Sequence, residues 1–477
     1  MPSYSPRTSI RAPASLGQRR GPRNRAAAVA LLLLAAPHNI PAQTLEGIWR
    51  GRIADRRGQP IDFELQIGPH GAAPAGRLQP LGRGSANPFF VDAATLSGEG
   101  AVRIEIQTLR IVVEGKLASG GQSIGATWIQ FGSDHQPVQL TRVPSATPPT
   151  FFDPLVEIRM ARPPTAVRSN GAYRLYYEIN VANYTEEQLK LESVEIQIGA
   201  QNATLAGDAL ARQTVSYGVS IPPSKSGVVL IGLSMTSEPP ESLRHRVTFS
   251  SAGRTSTLET QALPVLRNPV RIAPPLRGDH WWAGAGPDSG LHHRAAILPM
   301  AGRFTIAQRF AFDFARRVPG SGDFERGDRR KLESSPSYGA EVLAVADATV
   351  TLARGDVPDA PPYEIAPPYP ITKETLGGNL VVLDLGRQRW AVYAHLIPGS
   401  LRVKPGDRVR QGDVIARLGN SASYSPHLHF HVVDGPDPWS SEGVPFVFDE
   451  FTHEGKLHRD EMPAGGWTID FAPPSTR

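Results

Sequence analysis

The chain of 477 residues contains no cysteine. That excludes disulfides and thiolate ligands, so any metal centre must be assembled from histidine, aspartate and glutamate. Beyond the first few dozen residues there is no apolar run long enough to cross a bilayer as a helix. Also missing is a basic patch interleaved with aromatics of the kind that grips single strands, and no nucleic-acid partner is expected. The formal charge of +5 overstates the basicity of the mature chain, because much of the excess sits in the first 42 residues.

What the chain does have is an ordinary globular balance, 40% hydrophobic and 20% charged, together with 45 prolines and 46 glycines. That many turn formers favours short strands over long helices, and the length suits about three domains. A mostly β protein is expected. Residues 1–42 read as an export signal: Arg7, Arg11, Arg19, Arg20, Arg23 and Arg25 precede the apolar run Ala26 to Ala36, and Ile40-Pro41-Ala42 offers a cleavage point. The mature protein is then expected in the periplasm or outside the cell, with no stable membrane insertion.

Two proline-rich stretches, Pro144 to Pro154 and Pro264 to Pro275, divide the rest. Residues 43–143 alternate with period two, as in Ile61, Phe63, Leu65 and Ile67, and predict a small barrel or meander. The opening Gly47-Ile48-Trp49 resembles the start of small lipocalin-like barrels, and a core tryptophan explains it equally. Residues 152–263, with runs such as Leu175-Tyr177-Ile179-Val181, predict an immunoglobulin-like sandwich acting as spacer or binding module. Few contacts are expected across Pro264 to Pro275, so residues 276–477 are expected to stay soluble once 43–262 are removed.

All the chemistry lies in residues 276–477. In Pro426-His427-Leu428-His429-Phe430-His431 three imidazoles recur at every second position of a strand, on one face. Histidine is both the commonest metal ligand and the usual acid or base near neutrality. Upstream come Gly339-Ala340-Glu341-Val342-Leu343-Ala344, Gly378-Asn379-Leu380-Val381, Tyr393-Ala394-His395-Leu396, tight turns at Pro405-Gly406-Asp407 and Gln411-Gly412-Asp413, and Gly419-Asn420-Ser421.

This ordered series resembles the lysostaphin-type, or LytM-like, zinc endopeptidases of bacterial peptidoglycan, over about Ala340 to Val433. The resemblance implies an antiparallel sheet or split barrel of the duplicated-hybrid-motif type, preceded here by two small β domains. It implies Zn2+ as cofactor and wall peptides as substrate, with a zinc-bound water as nucleophile. It also implies that His429 is a ligand and that His427 and His395 are the catalytic pair, stabilising the oxyanion and passing protons. The aspartate of the family's His-x-x-x-Asp ligand motif falls on Asp313, but the histidine position holds Arg309, which has no lone pair to give. A His-Arg loop paired with an Arg-Phe-Ala-x-Asp strand resembles a subgroup of the family.

His293, in the loop Pro287 to Arg294, is therefore expected to supply the missing ligand beside Asp313 and His429, with His292 on the other side of the loop. His292 and His431 remain alternatives. Arg309 is then expected to turn from the metal or pair with a carboxylate, including one on the substrate. Trp281, Trp282 and Tyr424 are candidate groove residues. A second function stays open on the same residues: a catalytically degenerate member that binds wall peptides or regulates another hydrolase.

Overall fold

The computed structural model describes residues 44–471 apart from 56, 69–74, 82–88, 132–133, 145–155, 186, 200, 252, 291 and 365. The expected export signal and most of the first proline-rich stretch lie outside the described residues. Strands dominate, and among the described residues the one α-helix is the short Gly207–Gln213.

The front region is a nine-stranded antiparallel meander in which the first strand, Gly47–Ala54, pairs with both Pro60–Ile67 and the last, Asp134–Val143. Trp49 is fully buried and donates its ring N–H to Leu45 O at 2.8 Å, with the Arg142 guanidinium 4.2 Å from the ring. It is a core tryptophan. The next region is a two-sheet sandwich. Ala172–Asn183 and Lys225–Met235 pair along their length in one sheet, and Leu189–Ile198 pairs with Ser242–Ser251 in the other. Leu175, Tyr177, Ile179 and Val181 alternate inward to its core, as their period requires.

The last region is built on an 11-stranded sheet. Four neighbours carry the site, in the order Gly278–Gly284, Phe312–Arg316, Leu428–Val433 and Arg389–Leu396. Leu428, Phe430 and Val432 face the main core with Phe312, Phe314 and Phe446, while Val433 joins Val392, Ala394 and Leu380 in a smaller cluster on the opposite side. Period two thus fixes which face of the strand presents His429 and His431. The expected tight turns are closed by their own aspartates: Asp407 accepts the Lys404 N–H at 3.0 Å and Asp413 the Arg410 N–H at 2.7 Å, with Gly406 and Gly412 at positive φ.

The second proline-rich stretch does not mark a line that few contacts cross. Leu45–Arg477 forms one compact unit, and Val167 and Tyr176 of the sandwich belong to the main core of the C-terminal region. Arg294 and Arg309 reach back into the sandwich, and Arg162 pairs with Asp434. Proline runs report a break in regular structure; they carry no information about side chains that reach across it.

Candidate metal centre and its catalytic flank

Asp313 and His429 sit directly opposite one another in register, which places both side chains on one face at close range. His429 Nδ1 lies 3.0 Å from Asp313 Oδ1. The loop after Gly278–Gly284 folds back so that His293 Nε2 lies 3.5 Å from Asp313 Oδ2, its ring centroid 4.8 Å from that of His429. His427 Nε2 is 3.3 Å from Asp313 Oδ1, and the His395 ring is 4.8 Å from His427 and 5.8 Å from His429. All five singled-out residues therefore line one cleft. Candidate ligand atoms of His395, His427 and His429 lie within 4.8 Å of one another, as do those of His292, His293 and Asp313. His292, expected on the far side of its loop, is exposed but adjacent, with its ring 4.9 Å from that of His293.

Backbone carbonyls assign the tautomers, since a carbonyl can only accept. His293 Nδ1–H donates to Ala285 O at 2.9 Å, with Ala311 O at 3.3 Å. His395 Nδ1–H donates to Ser421 O at 2.7 Å, and His427 Nδ1–H to Ser425 O at 2.8 Å. His431 Nε2–H points at Pro438 O at 3.3 Å, so its bare Nδ1 accepts from His429 Nε2–H at 3.0 Å. The consequence is that His293 Nε2 and His429 Nδ1 turn lone pairs toward an anionic carboxylate. Such an arrangement is satisfied by a cation, and two imidazoles with a carboxylate form a donor set that suits zinc.

The electrostatics agree. Burial holds His293 below its ordinary value, takes His395 well below it, and brings His429 and His431 down to about 3. These imidazoles are neutral, as ligands and proton acceptors must be. Burial acts on Asp313 to raise it, but the neighbouring His427 and His293 win and keep it well below the usual carboxylate range. For His427 burial lowers and Asp313 raises, and the carboxylate prevails.

His395 is held at φ 63°, in the left-handed region, which costs on the order of 1–2 kcal/mol for an L-residue. The surroundings enforce it. Asn379 donates to Val357 O at 2.7 Å and Leu396 O at 2.9 Å, while Ser421 Oγ donates to Leu396 O at 2.9 Å and accepts the Asn379 N–H at 2.9 Å. A side chain at Gly378 would come within 2.3 Å of Ser421 O. The Gly-Asn and Gly-Asn-Ser motifs thus brace and orient His395.

Arg309 is absent from the cleft. It is 4% exposed, donating from Nε to Glu178 at 2.6 Å, from Nη2 to Glu442 at 2.7 Å and from Nη1 to Gly443 O at 2.9 Å. The expectation that it pairs with a carboxylate holds, and the carboxylates are the protein's own. Trp281 is also corrected: at 1% exposure its ring is core and its N–H bonds to Arg277 O at 3.1 Å. Tyr424, 53% exposed and three residues before His427, keeps its candidacy, and Trp282 packs on Phe324. Unforeseen in the sequence was Trp439, buried with its ring 5.6 Å from His431 and 6.4 Å from His429.

Residues 332–440 match the sequence profile described as Peptidase family M23. Over 60 residues the chain is 43% identical to endolysin 2638A of Staphylococcus phage 2638A. That stretch is 12% of this chain, and the chain spans 12% of the length of that relative. Among solved structures it is similar to the catalytic domain of lysostaphin from Staphylococcus simulans, at 17% identity over 35% of this chain and 86% of that one, TM-score 0.18. It is also similar to a zinc-containing peptidase from Vibrio cholerae, at 12% identity over 74% of this chain and 83% of that one, TM-score 0.21.

Proposed function

We propose that the protein is an exported, zinc-dependent endopeptidase that hydrolyses peptide cross-links of bacterial peptidoglycan, with His293, Asp313 and His429 as metal ligands and His395 and His427 as catalytic residues. The observation that carries the reading is the convergence of the bare imidazole nitrogens of His293 and His429 on the Asp313 carboxylate. When bound, zinc supplies Lewis acidity toward a carbonyl and lowers the pKa of a water toward about 7. The rest falls to the chain. His431 holds His429 in the tautomer whose Nδ1 is free, and Ala285 O does the same for Nε2 of His293. His395 and His427 each spend Nδ1–H on a backbone carbonyl, so they exchange protons with substrate only through Nε2. Side by side, they can stabilise developing negative charge and carry a proton from the attacking water to the leaving amine.

Arg309 no longer favours a non-catalytic binder, because its charge is spent on Glu178 and Glu442 outside the cleft. The test is the metal content of protein purified without added zinc, together with peptide release from purified sacculi. One equivalent of zinc and release of cross-linked peptides are expected, both lost in His293→Ala. A metal-free wild-type protein that releases nothing would sink the reading.

A further inference from the structure

We propose that the β-sandwich completes the metal centre of the C-terminal region, with Glu178 as a positioning residue that clamps both ligand-bearing segments through Arg294 and Arg309. The inference rests on the reading of His293 as a ligand.

Glu178 lies on the strand Ala172–Asn183, in the middle of the sandwich sheet. Its carboxylate is 8% exposed and divides between two guanidiniums: Oε2 accepts from Arg309 Nε at 2.6 Å, and Oε1, with no hydrogen bond of its own, faces Arg294 Nη2 at 3.6 Å. Arg294 is 3% exposed and is the residue after His293. It donates from Nη2 to Tyr177 O at 3.0 Å and Ile231 O at 2.9 Å, carbonyls on two paired strands of the sandwich, and its guanidinium stands 5.4 Å from the Tyr176 ring. Arg309 ends the turn that begins at Ile306 and lies four residues before Asp313.

One carboxylate of the sandwich therefore ties the loop of His293 to the segment leading into Asp313. The loop is entered through Ala285 at φ 51° and contains Gly290 at φ 107°. Among its described residues the hydrogen bonds to the rest of the fold are few: Asp288 Oδ1 accepts the Gly465 N–H at 2.8 Å, and the segment that bears the ligand is held by His293 itself and Arg294. Two arginines at this depth require anionic partners: Arg309 has Glu442 as well, but among the described residues Arg294 has only Glu178. Neutralising Glu178 leaves Arg294 buried beside carbonyls alone, and the cheapest relief is for the loop to swing out and hydrate the guanidinium. His293 would move with it.

The experiment uses the full chain loaded with cobalt(II), whose visible d–d band reports coordination, and compares wild type, Glu178→Gln, Glu178→Asp and the double variant Glu178→Gln/Arg294→Gln. The double variant removes both members of the pair, which keeps folding near neutral while leaving the loop untied. Expected are a 10–100-fold loss of cobalt affinity and an altered d–d band in Glu178→Gln and in the double variant, with partial recovery in Glu178→Asp. In the metal-free proteins, amide exchange across residues 285–297 should speed up about tenfold or more while the sheet strands keep their protection. Affinity within twofold of wild type, with an unchanged band and unchanged exchange in both Gln variants, would overturn the proposal. A wild-type protein that takes up no cobalt would overturn the metal assignment instead, and the exchange comparison would still decide the role of Glu178.

Discussion

Around Arg309 every charge faces its opposite, whereas around Asp313 lone pairs face an anion. Both clusters are buried, both are rich in titratable groups, and they are joined by four residues of chain. In the first, Glu178 and Glu442 balance the charges of Arg294 and Arg309 within the protein itself. Although burial works against the guanidinium of Arg309, the two carboxylates raise it above its ordinary value. In the second, bare nitrogens of His293 and His429 lie 3.5 and 3.0 Å from a carboxylate. A cluster of buried charge balanced by its own counterions serves structure, and one that turns lone pairs toward an anion is prepared for a cation.

The largest effect that can break this comparison is catalytic. His395→Ala and His427→Ala should each lower peptide release by about 10²–10⁴-fold while leaving the zinc content of the protein unchanged. Elemental analysis beside the turnover assay separates the roles, and loss of metal in either variant would move that histidine into the ligand set. Next comes the ion cluster. Arg309→Met should destabilise the protein by about 3–5 kcal/mol in denaturant unfolding, because Glu442 stays buried without its cation and Glu178 is left with Arg294 alone, and adding Glu442→Leu should return part of that loss. If the single variant is as stable as wild type, the cluster is not the interdomain anchor described here.

The smallest effect is a control within the sandwich. His245 is fully buried, bonded to Tyr177 Oη at 2.8 Å with Thr260 Oγ1 at 3.4 Å from Nδ1, and among the described residues no carboxylate bonds to it. Burial lowers its pKa to about 4. The unfolded chain, with its histidine near 6.5, binds more protons than the folded one between those values, so stability is full above about 6.5 and falls as pH drops toward 4. The loss should reach on the order of 3 kcal/mol. His245→Gln should flatten this slope, and an unchanged slope would assign the acid sensitivity to another group.

The alternation in Leu428 to His431 was enough to place His429 and His431 on one face, because strand geometry leaves no other choice. The ordered motifs likewise located His395 and His427. Position 309 was different. Its arginine read as a gap in a ligand set, since nothing nearby in sequence shows that Glu178, 131 residues earlier, and Glu442, 133 residues later, would enclose it. The same limit applied to Trp281, which sits beside Trp282 in the sequence, but whose burial depends on the pairing of its strand with Phe312–Arg316.

The sequence by itself determined the β character, the faces of the strands and the identity of the imidazoles, because these follow from local periodicity and side-chain chemistry. Tertiary structure alone decided that Arg309 is a buried tether, that Arg294 carries the His293 loop into the sandwich, and that His431 and the carbonyls of Ala285, Ser421 and Ser425 select each tautomer. Those outcomes depend on distances between groups far apart in the chain, and a hydrogen bond or an ion pair forms only where the completed fold brings its two ends within about 3 Å.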